Sequence, residues 1–228
     1  MRICIIQPDC PNMTYPFAFP SLQPLYLSAF LKKHGYKPEY YDLTGGKIMP
    51  HVKADVFIFF AFSNQFRDCC QIKLNLRQGN DKAKFVMIGP FPTYGDGWKD
   101  CNAKGFIAVK GESEYSVLEI IESKETKRLY EADKLIDMNE IFPDWEAIDM
   151  TKYGYSLMGK RCISMLTKRG ECPFHCSFCC KYGNSRIRNR SAENVLKECK
   201  LLRDKYGFGA VAIYDDDVLL DKQRDREI

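Results

Sequence analysis

The 228-residue sequence lacks the features that mark several protein classes. It has no apolar run approaching the roughly 18–20 residues that cross a bilayer, and no signal-like start, because the first apolar run ends at Gln7 and Pro8. The formal net charge is only +4 and is spread along the chain, so charge indicates no nucleic-acid partner. We therefore expect a cytoplasmic protein that binds neither membrane nor nucleic acid.

Two phosphate-binding motifs are also missing. No G-x-G-x-x-G follows the first predicted strand, and G-x-x-x-x-G-K-[ST] does not occur, which disfavours a dinucleotide or a P-loop nucleotide. The basic stretch 186–190 predicts a solvated or anion-facing loop.

Cysteine, by contrast, is abundant, with eleven residues. Disulfides are rare in a reducing compartment, so scattered cysteines are expected to be buried apolar side chains, whereas a tight cluster indicates metal or redox chemistry. The cluster is "CPFHCSFCC", residues 172–180. The cysteines read as inert are Cys4, Cys69, Cys70, Cys101, Cys162 and Cys199, and Cys10 is left open because it lies in a predicted loop.

An alternation of strands and helices organises residues 1–124. Five segments read as strands, namely "RICIIQP", "PEYYDL", "ADVFIFFAFS", "KFVMIGP" and "GFIAVKGE". Three segments have helical spacing, namely "LQPLYLSAFLKKHGY", "QFRDCCQIKLNLRQ" and "EYSVLEIIES". Because parallel strands need crossover connections, this order predicts an α/β fold with a five-stranded, doubly wound parallel sheet.

The remainder reads as a linker followed by a second alternation. Residues 125–160 are charged, with short apolar groups, and are predicted to be a linker packed on both neighbours. In residues 161–228, "RCISMLTKRG" and "AVAIYDDD" read as strands around a helix that begins after Ser191 and ends at Gly207.

Ligands of such sheets bind beyond the carboxyl ends of the strands. The loops predicted there are "QPDCPN", "SNQF", "GPFPT" and "GESE". Their small residues allow close backbone approach, and Ser63, Asn64 and Thr93 offer neutral hydrogen bonds. That these are ordinary turn residues stays open for each loop.

Cys172, Cys176 and Cys179 have the spacing C-x3-C-x2-C directly after a predicted strand. Three thiolates suit a sulfur-preferring centre and leave a fourth metal position for a substrate. A zinc site would normally show a second pair of ligands, which is not found nearby. His175 and Cys180 are left out, since adjacent residues in a tight loop rarely point at the same ion.

The segment "CPFHCSFC", with Phe178 before its last cysteine, resembles the signature of the radical S-adenosylmethionine enzymes. The resemblance implies a [4Fe-4S] cluster on the three cysteines, with S-adenosylmethionine on the fourth iron. An electron from an external donor then cleaves it to a 5′-deoxyadenosyl radical. It also implies S-adenosylmethionine contacts from Phe178, Asp215 and Asp216, although a strand-end cluster of acids remains the alternative for the two aspartates.

Residues 1–124 resemble the cobalamin-binding domains that precede a radical S-adenosylmethionine barrel. The segments that carry this resemblance are "SLQPLYLSAFLKKHGYKPEYYDL", "DVFIFFAFSNQF", "FVMIGPFPT" and "VKGESEYSVLEII". The implied cobalamin contacts are Ser63, Asn64, Gly89, Thr93, Gly111 and Glu112. The cobalt-ligating motif D-x-H-x-x-G is missing, because none of the three histidines, His34, His51 and His175, lies in that setting.

Together these resemblances predict a flavodoxin-like or Rossmann-like cobalamin-binding domain at 1–124, a linker at 125–160 and the beginning of a radical S-adenosylmethionine (β/α) barrel at 161–228. A complete barrel of eight repeats needs about 200 residues or more. We therefore expect an incomplete barrel, with a truncated chain, a fragment and a second polypeptide that completes it as the alternatives.

The implied activity is methyl transfer, ring contraction or cyclisation on an unidentified small molecule, with a [4Fe-4S] cluster, S-adenosylmethionine and cobalamin as cofactors. Two other hypotheses stay open. One is a methylthiotransferase-like enzyme, whose first domain carries a second cluster on three cysteines. The other is a non-catalytic module that binds cobalamin or a cluster.

Overall fold

The computed structural model describes residues 1–170, 172, 174, 176, 177 and 186–216. The strands are β1 Ile3–Gln7, β2 Glu39–Asp42, β3 Val56–Phe60, β4 Lys84–Ile88, β5 Ile107–Lys110, β6 Leu129–Glu131, β7 Tyr155–Leu157, β8 Lys160–Met165, β9 Lys168–Arg169, β10 Arg188–Asn189 and β11 Ala210–Ile213. The helices are α1 Leu22–Lys33, α2 Phe66–Arg77, α3 Pro90–Thr93, α4 Gly97–Ala103, α5 Glu114–Glu122 and α6 Ala192–Tyr206.

The first sheet is parallel throughout, in the order β2-β1-β3-β4-β5-β6. The α/β fold class and all five predicted strands are confirmed. The strand count of five is wrong, because β6 lies within the segment predicted to be a linker and pairs with β5. With three residues, β6 is too short to show a period in the sequence.

Helices cover both faces of this sheet, as the buried runs of β1 and β3 predict. Successive side chains of a strand point to opposite faces. In β1, Ile3 and Ile5 join the core that contains α1 and α5, whereas Cys4 and Ile6 join the core on the other side. The core under α1 and α5 also takes in seven side chains of the predicted linker, namely Tyr130, Ile136, Met138, Trp145, Ile148, Met150 and Tyr153.

The connection between β4 and β5 differs from the prediction of a loop. The segment "GPFPT" folds from Pro90 into the short helix α3, and α4 follows it. Proline at the first helical position has no N–H that the helix would use, so it favours a helix start there. A segment of this length carries no helical period, which is why the sequence reading missed it.

The second unit begins as predicted. β8 and β11 are parallel neighbours joined by α6, and β7 adds an antiparallel strand on the other side of β8. The Ser191 hydroxyl caps α6 by accepting a hydrogen bond from the Asn194 amide, and Gly207 ends the helix at a φ of 72°. No helix in the described part of the chain has the length and apolar character to span a membrane.

Candidate functional site

A cleft opens where the strand order of the first sheet reverses. In the order β2-β1-β3, the chain leaves β1 in one direction and β3 continues in the other, and ligands of doubly wound sheets bind at this switch point. The cleft has a volume of about 350 Å³. Its lining includes Gln7, Cys10, Phe19, Thr44, Ser63, Asn64 and Tyr153. The predicted residues Ser63 and Asn64 therefore lie at the expected place.

The cleft offers polar atoms that a ligand can use. Gln7 is 7% exposed, and its Oε1 has no hydrogen-bond partner among the described residues. Asn64 is exposed, and its Nδ2 donates to Cys10 Sγ at 3.4 Å. Gln65 Nε2 donates to the carbonyl oxygens of Pro8 and Asp9, at 3.1 and 3.0 Å, which joins the loops after β1 and β3. Buried acceptors in proteins are nearly always paired, so the free oxygen of Gln7 favours a bound donor.

The other predicted cobalamin contacts lie at the ends of β4 and β5 and do not line this cleft. Thr93 Oγ1 donates to the Gly89 carbonyl at 2.7 Å and accepts from the Gly111 amide at 3.1 Å. Gly89 has a φ of 98°, and a Cβ there would lie 2.8 Å from the Phe60 ring. Thr93 and the two glycines thus hold the strand ends together, and their contact with a ligand stays a prediction.

The cysteine loop is closed at its base by two short strands. Arg169 of β9 pairs with Arg188 of β10, so the two residues that flank the loop 170–187 lie side by side. Gly170 makes this closure possible, since its φ is 124° and a Cβ would lie 2.6 Å from the Arg186 carbonyl oxygen. The loop follows β8 and the two-residue strand β9, which together form the segment that the sequence predicts as one strand.

Two of the three predicted cluster ligands lie in the described part of this loop. Cys172 is half-buried, Cys176 is exposed, and both thiols are free. Cys179 and Phe178 lie outside the described residues, as do His175 and Cys180. Two accessible thiols within five positions fit a sulfur-ligated centre, and their role as ligands stays a prediction.

Two glutamates of the first domain hold the base of the cysteine loop. Arg169 Nη1 lies 2.6 Å from Glu114 Oε1, and Arg169 Nη2 lies 3.2 Å from Glu112 Oε2. The second contact is an ion pair without hydrogen-bond alignment, because Oε2 has no aligned donor. Arg188 donates from Nη2 to Glu112 Oε1 and from Nη1 to the Ile136 carbonyl at 2.6 Å. Burial raises the pKa of Glu112, and the two arginines offset part of this rise.

A second buried arginine pair lies beside this cluster. Arg190 is fully buried, and its Nη1 lies 2.5 Å from Glu198 Oε2 and 2.7 Å from the Leu166 carbonyl oxygen. Glu198 Oε1 accepts from Trp145 Nε1 at 2.9 Å. Of the two alternatives predicted for the stretch 186–190, solvated or anion-facing, Arg190 shows the second, because it is buried against the Glu198 carboxylate.

Asp215 lies beside the base of the cysteine loop. Its carboxylate accepts hydrogen bonds from the Thr167 amide at 2.8 Å, from the Thr167 hydroxyl and from the Lys168 amide at 3.2 Å. It thus joins the end of β11 to the chain after β8, and two carboxylate oxygens can still accept a further donor. Asp216 is exposed. The contacts of both residues with S-adenosylmethionine stay predictions.

The sequence reading missed Arg169, Arg188, Glu114 and Gly170. The sequence does contain a signal for this contact. Glu112 and Glu114 follow one predicted strand, and Arg169 and Arg188 flank the cysteine triplet that follows another. Opposite charges at the carboxyl ends of packed elements are candidates for an ion-paired contact.

The scattered cysteines mostly behave as predicted. Cys4, Cys69, Cys101 and Cys162 are buried, whereas Cys70 and Cys199 are half-buried. Burial raises the pKa of Cys4 and of Cys101 to about 12 in each case. A thiol with so high a pKa supplies almost no thiolate at neutral pH, which makes these two poor metal ligands.

Comparison with known proteins relates the chain to two groups of enzymes. It is 34% identical over 96 residues to the cytidylyl-2-hydroxyethylphosphonate methyltransferase of Streptomyces wedmorensis, which covers 38% of this chain and 18% of that protein. It is 31% identical over 94 residues to the anaerobic magnesium-protoporphyrin IX monomethyl ester cyclase of Cereibacter sphaeroides, covering 41% of this chain and 15% of the cyclase. The chain thus spans under a fifth of either relative. No family model matches it.

One solved structure has the same fold over nearly the whole chain. It is the cobalamin-dependent S-adenosylmethionine radical enzyme OxsB with aqua-cobalamin bound. The TM-score is 0.69 at 14% identity, with 96% of this chain and 34% of that chain covered. Both the parallel sheet and the beginning of the second unit lie within this match. The resemblance of the chain to the cobalamin-binding radical S-adenosylmethionine proteins is therefore confirmed.

Proposed function

We propose that the chain is a radical S-adenosylmethionine protein that binds a [4Fe-4S] cluster and cobalamin, and that acts in methyl transfer or a related radical reaction on a small molecule. The observation that carries this proposal is the position of the cysteine loop. It is closed by β9 and β10 directly after β8, beside a sheet that has its cleft at the switch point. The related methyltransferase and cyclase, and the fold shared with OxsB, support the same activity.

In this proposal Cys172, Cys176 and Cys179 hold the cluster as thiolates. A [4Fe-4S] cluster supplies the electron, taken from an external donor, that cleaves S-adenosylmethionine to a 5′-deoxyadenosyl radical. Asp215 ends the neighbouring strand with a carboxylate that can accept a hydrogen bond from the methionyl amine, while it fixes the backbone at Thr167 and Lys168.

The switch-point cleft fits part of a cobalamin molecule. Its floor carries the free Oε1 of Gln7, and its rim carries the exposed side chains of Ser63 and Asn64. No histidine among the described residues lines the cleft. We therefore propose that cobalamin binds here without a histidine ligand to cobalt, and that side-chain amides and hydroxyls hold its periphery.

We further propose that additional strands complete the barrel next to β11. Among the described residues β11 pairs only with β8, so its other edge is free to accept a strand. Such an edge can be paired by a segment of the same protein or of a second polypeptide.

The buried cysteines argue against the methylthiotransferase-like alternative. That enzyme would need three accessible thiols in the first domain, whereas Cys4, Cys69 and Cys101 are fully buried. Only Cys10 and Cys70 have exposed surface among the cysteines of the described segment 1–124.

The test of the cluster is anaerobic reconstitution. We expect about four irons and four sulfides per chain, with a broad absorbance near 400 nm that is typical of the [4Fe-4S] centre. Cys172→Ala should remove this cluster, whereas Cys199→Ala on α6 should keep it, since Cys199 lies outside the loop. Stoichiometric zinc without iron in the unaltered chain would refute the proposal.

A further inference from the structure

The acidic pair after β5 connects the two units of the molecule. Glu112 was expected to contact cobalamin, yet its carboxylate lies between the two arginines that face each other across the base of the cysteine loop. Glu114 holds the same Arg169 from the next turn of the chain. The loop that contains the predicted cluster ligands is thus bound to the first domain through Arg169 and Arg188, the two residues that pair at its base.

We infer that Glu112 is a positioning residue for the cluster: by holding Arg169 and Arg188, it orients the cysteine loop relative to the first domain. This inference rests on the proposed function, because it assigns the loop to a [4Fe-4S] cluster.

Burial makes the contact strong enough for this role. The side chain of Glu112 is 4% exposed, and those of Arg169 and Arg188 are 9% and 15% exposed. Water cannot stabilise a carboxylate that is so deeply buried, so its charge is compensated by the two arginines. Removing the charge of Glu112 leaves both arginines without this anionic partner. The strand pair that these arginines belong to has only two residues on each side, so it has few other interactions to hold its register.

Position matters because the cluster must present one iron to S-adenosylmethionine. A displacement of about 1 Å in a positioning contact can lower a rate by about a hundredfold. Loss of Glu112 should therefore leave the thiols able to bind iron, but alter how the bound cluster meets S-adenosylmethionine.

The test compares Glu112→Gln, which keeps the shape and removes the charge, with Glu131→Gln as control. Glu131 is a glutamate of β6 that is 66% exposed and pairs with Lys110. In the cluster-free chain, amide hydrogen exchange of residues 166–190 should rise about tenfold or more in Glu112→Gln, because the buried group that faces Arg169 and Arg188 no longer carries a negative charge. Exchange in β1 and β3 should not change.

After reconstitution, Glu112→Gln should still hold about four irons. The change that S-adenosylmethionine causes in the electron paramagnetic resonance spectrum of the reduced cluster should be smaller or lost, and cobalamin affinity should stay within twofold of the unaltered protein. Arg188→Gln should reproduce both effects, and the double variant should be no worse than either single variant, since the residues act through one contact.

Three results would overturn the inference. They are unchanged exchange at 166–190, an unchanged S-adenosylmethionine effect despite faster exchange, and lost cobalamin affinity with an unaltered cluster spectrum. Should Glu112→Gln fail to fold, the same measurements are made on Arg188→Gln, because Arg188 is the more exposed residue of the pair. If the unaltered chain binds no cluster, the proposed function fails, and the exchange result still shows whether Glu112 holds the loop.

Discussion

The buried pair of Arg190 and Glu198 permits a sharp prediction about stability. Both side chains are 0% exposed, and Arg190 also donates to the Leu166 carbonyl and, from Nε, to Asn194 Oδ1 at 2.7 Å. Arg190→Met removes the cation and leaves Glu198 buried, with the Trp145 indole as its one remaining donor in the part of the chain that the structure describes. Breaking a buried pair in this way typically costs about 3–5 kcal/mol.

That cost should be visible in two measurements. In anaerobic urea unfolding of the cluster-free chain, the free energy of unfolding should fall by about 3–5 kcal/mol. For a chain of this size each kcal/mol lowers the melting temperature by about 2–4 °C, so we expect a decrease of about 6–20 °C. Lys197→Met, which breaks an exposed pair with Glu193 on the same helix, serves as control and should change stability little.

The pH dependence of this loss has a definite sign. Burial raises the pKa of Glu198 above its ordinary value of 4.5, and Arg190 offsets part of the rise. Without Arg190 the pKa of Glu198 in the folded state rises further. The folded variant therefore binds a proton at Glu198 more tightly than the unfolded chain does. Its stability then declines as pH rises from about 4.5 through the raised pKa. The deficit of Arg190→Met should therefore be larger at pH 8 than at pH 5.

A second substitution tests the cause. Arg190→Met/Glu198→Gln removes the unpaired charge while keeping an acceptor for Trp145, so it should recover most of the loss at pH 8 and remove the pH dependence. A cost below about 0.5 kcal/mol for Arg190→Met, as is usual for surface substitutions, would refute the reasoning. So would a deficit that is larger at pH 5.

Two further predictions concern the cleft and the loop. Ser63→Trp should fill the cleft and lower cobalamin affinity at least tenfold in a spectrophotometric titration, whereas Asn75→Trp on the exposed side of α2 should not; equal affinities would count against the cleft as the cobalamin site. Gly170→Ala should destabilise the chain by about 1–3 kcal/mol and reduce iron loading, because its Cβ would meet the Arg186 carbonyl oxygen. Gly79→Ala has a similar positive φ with no neighbour within 4 Å, so it should cost less and leave iron loading unchanged.

Strands that are buried on both faces could be predicted directly from the sequence. "VFIFF" is wholly apolar because β3 lies between two layers of helices, and the order of such strands and helices determines a parallel sheet. The place of the cleft follows from the same order, and Ser63 and Asn64 line it, while their contact with a ligand stays a prediction. The cysteine triplet predicts a cluster site because its spacing has few structural explanations, and that site stays a prediction.

What could not be predicted depends on partners distant in sequence. The contact of Glu112 with Arg188 could not be predicted because it joins positions 76 residues apart, whereas the cobalamin contact that the resemblance implies for Glu112 stays a prediction. The full burial of Arg190 could not be predicted, because a basic stretch predicts a solvated or anion-facing loop and nothing in the sequence pairs Arg190 with Glu198. β6 could not be predicted because its strand conformation depends on pairing with β5, and its three residues carry no pattern of their own.

The buried segment between the two units has a consequence for how the units can move relative to each other. Two-domain enzymes often open by rotation about a solvent-exposed hinge, unless the interface is large and apolar. Here the connecting chain adds a strand to the first sheet and buries Trp145, Ile148 and Met150 in its core, while the Trp145 indole also contacts Glu198 of α6. Rotation of one unit against the other would expose these groups to water. We therefore expect the two units to move as one rigid body, so that ligands enter and leave by local movement of loops. Distances between the units, measured by paired spin labels, should be the same with and without ligands.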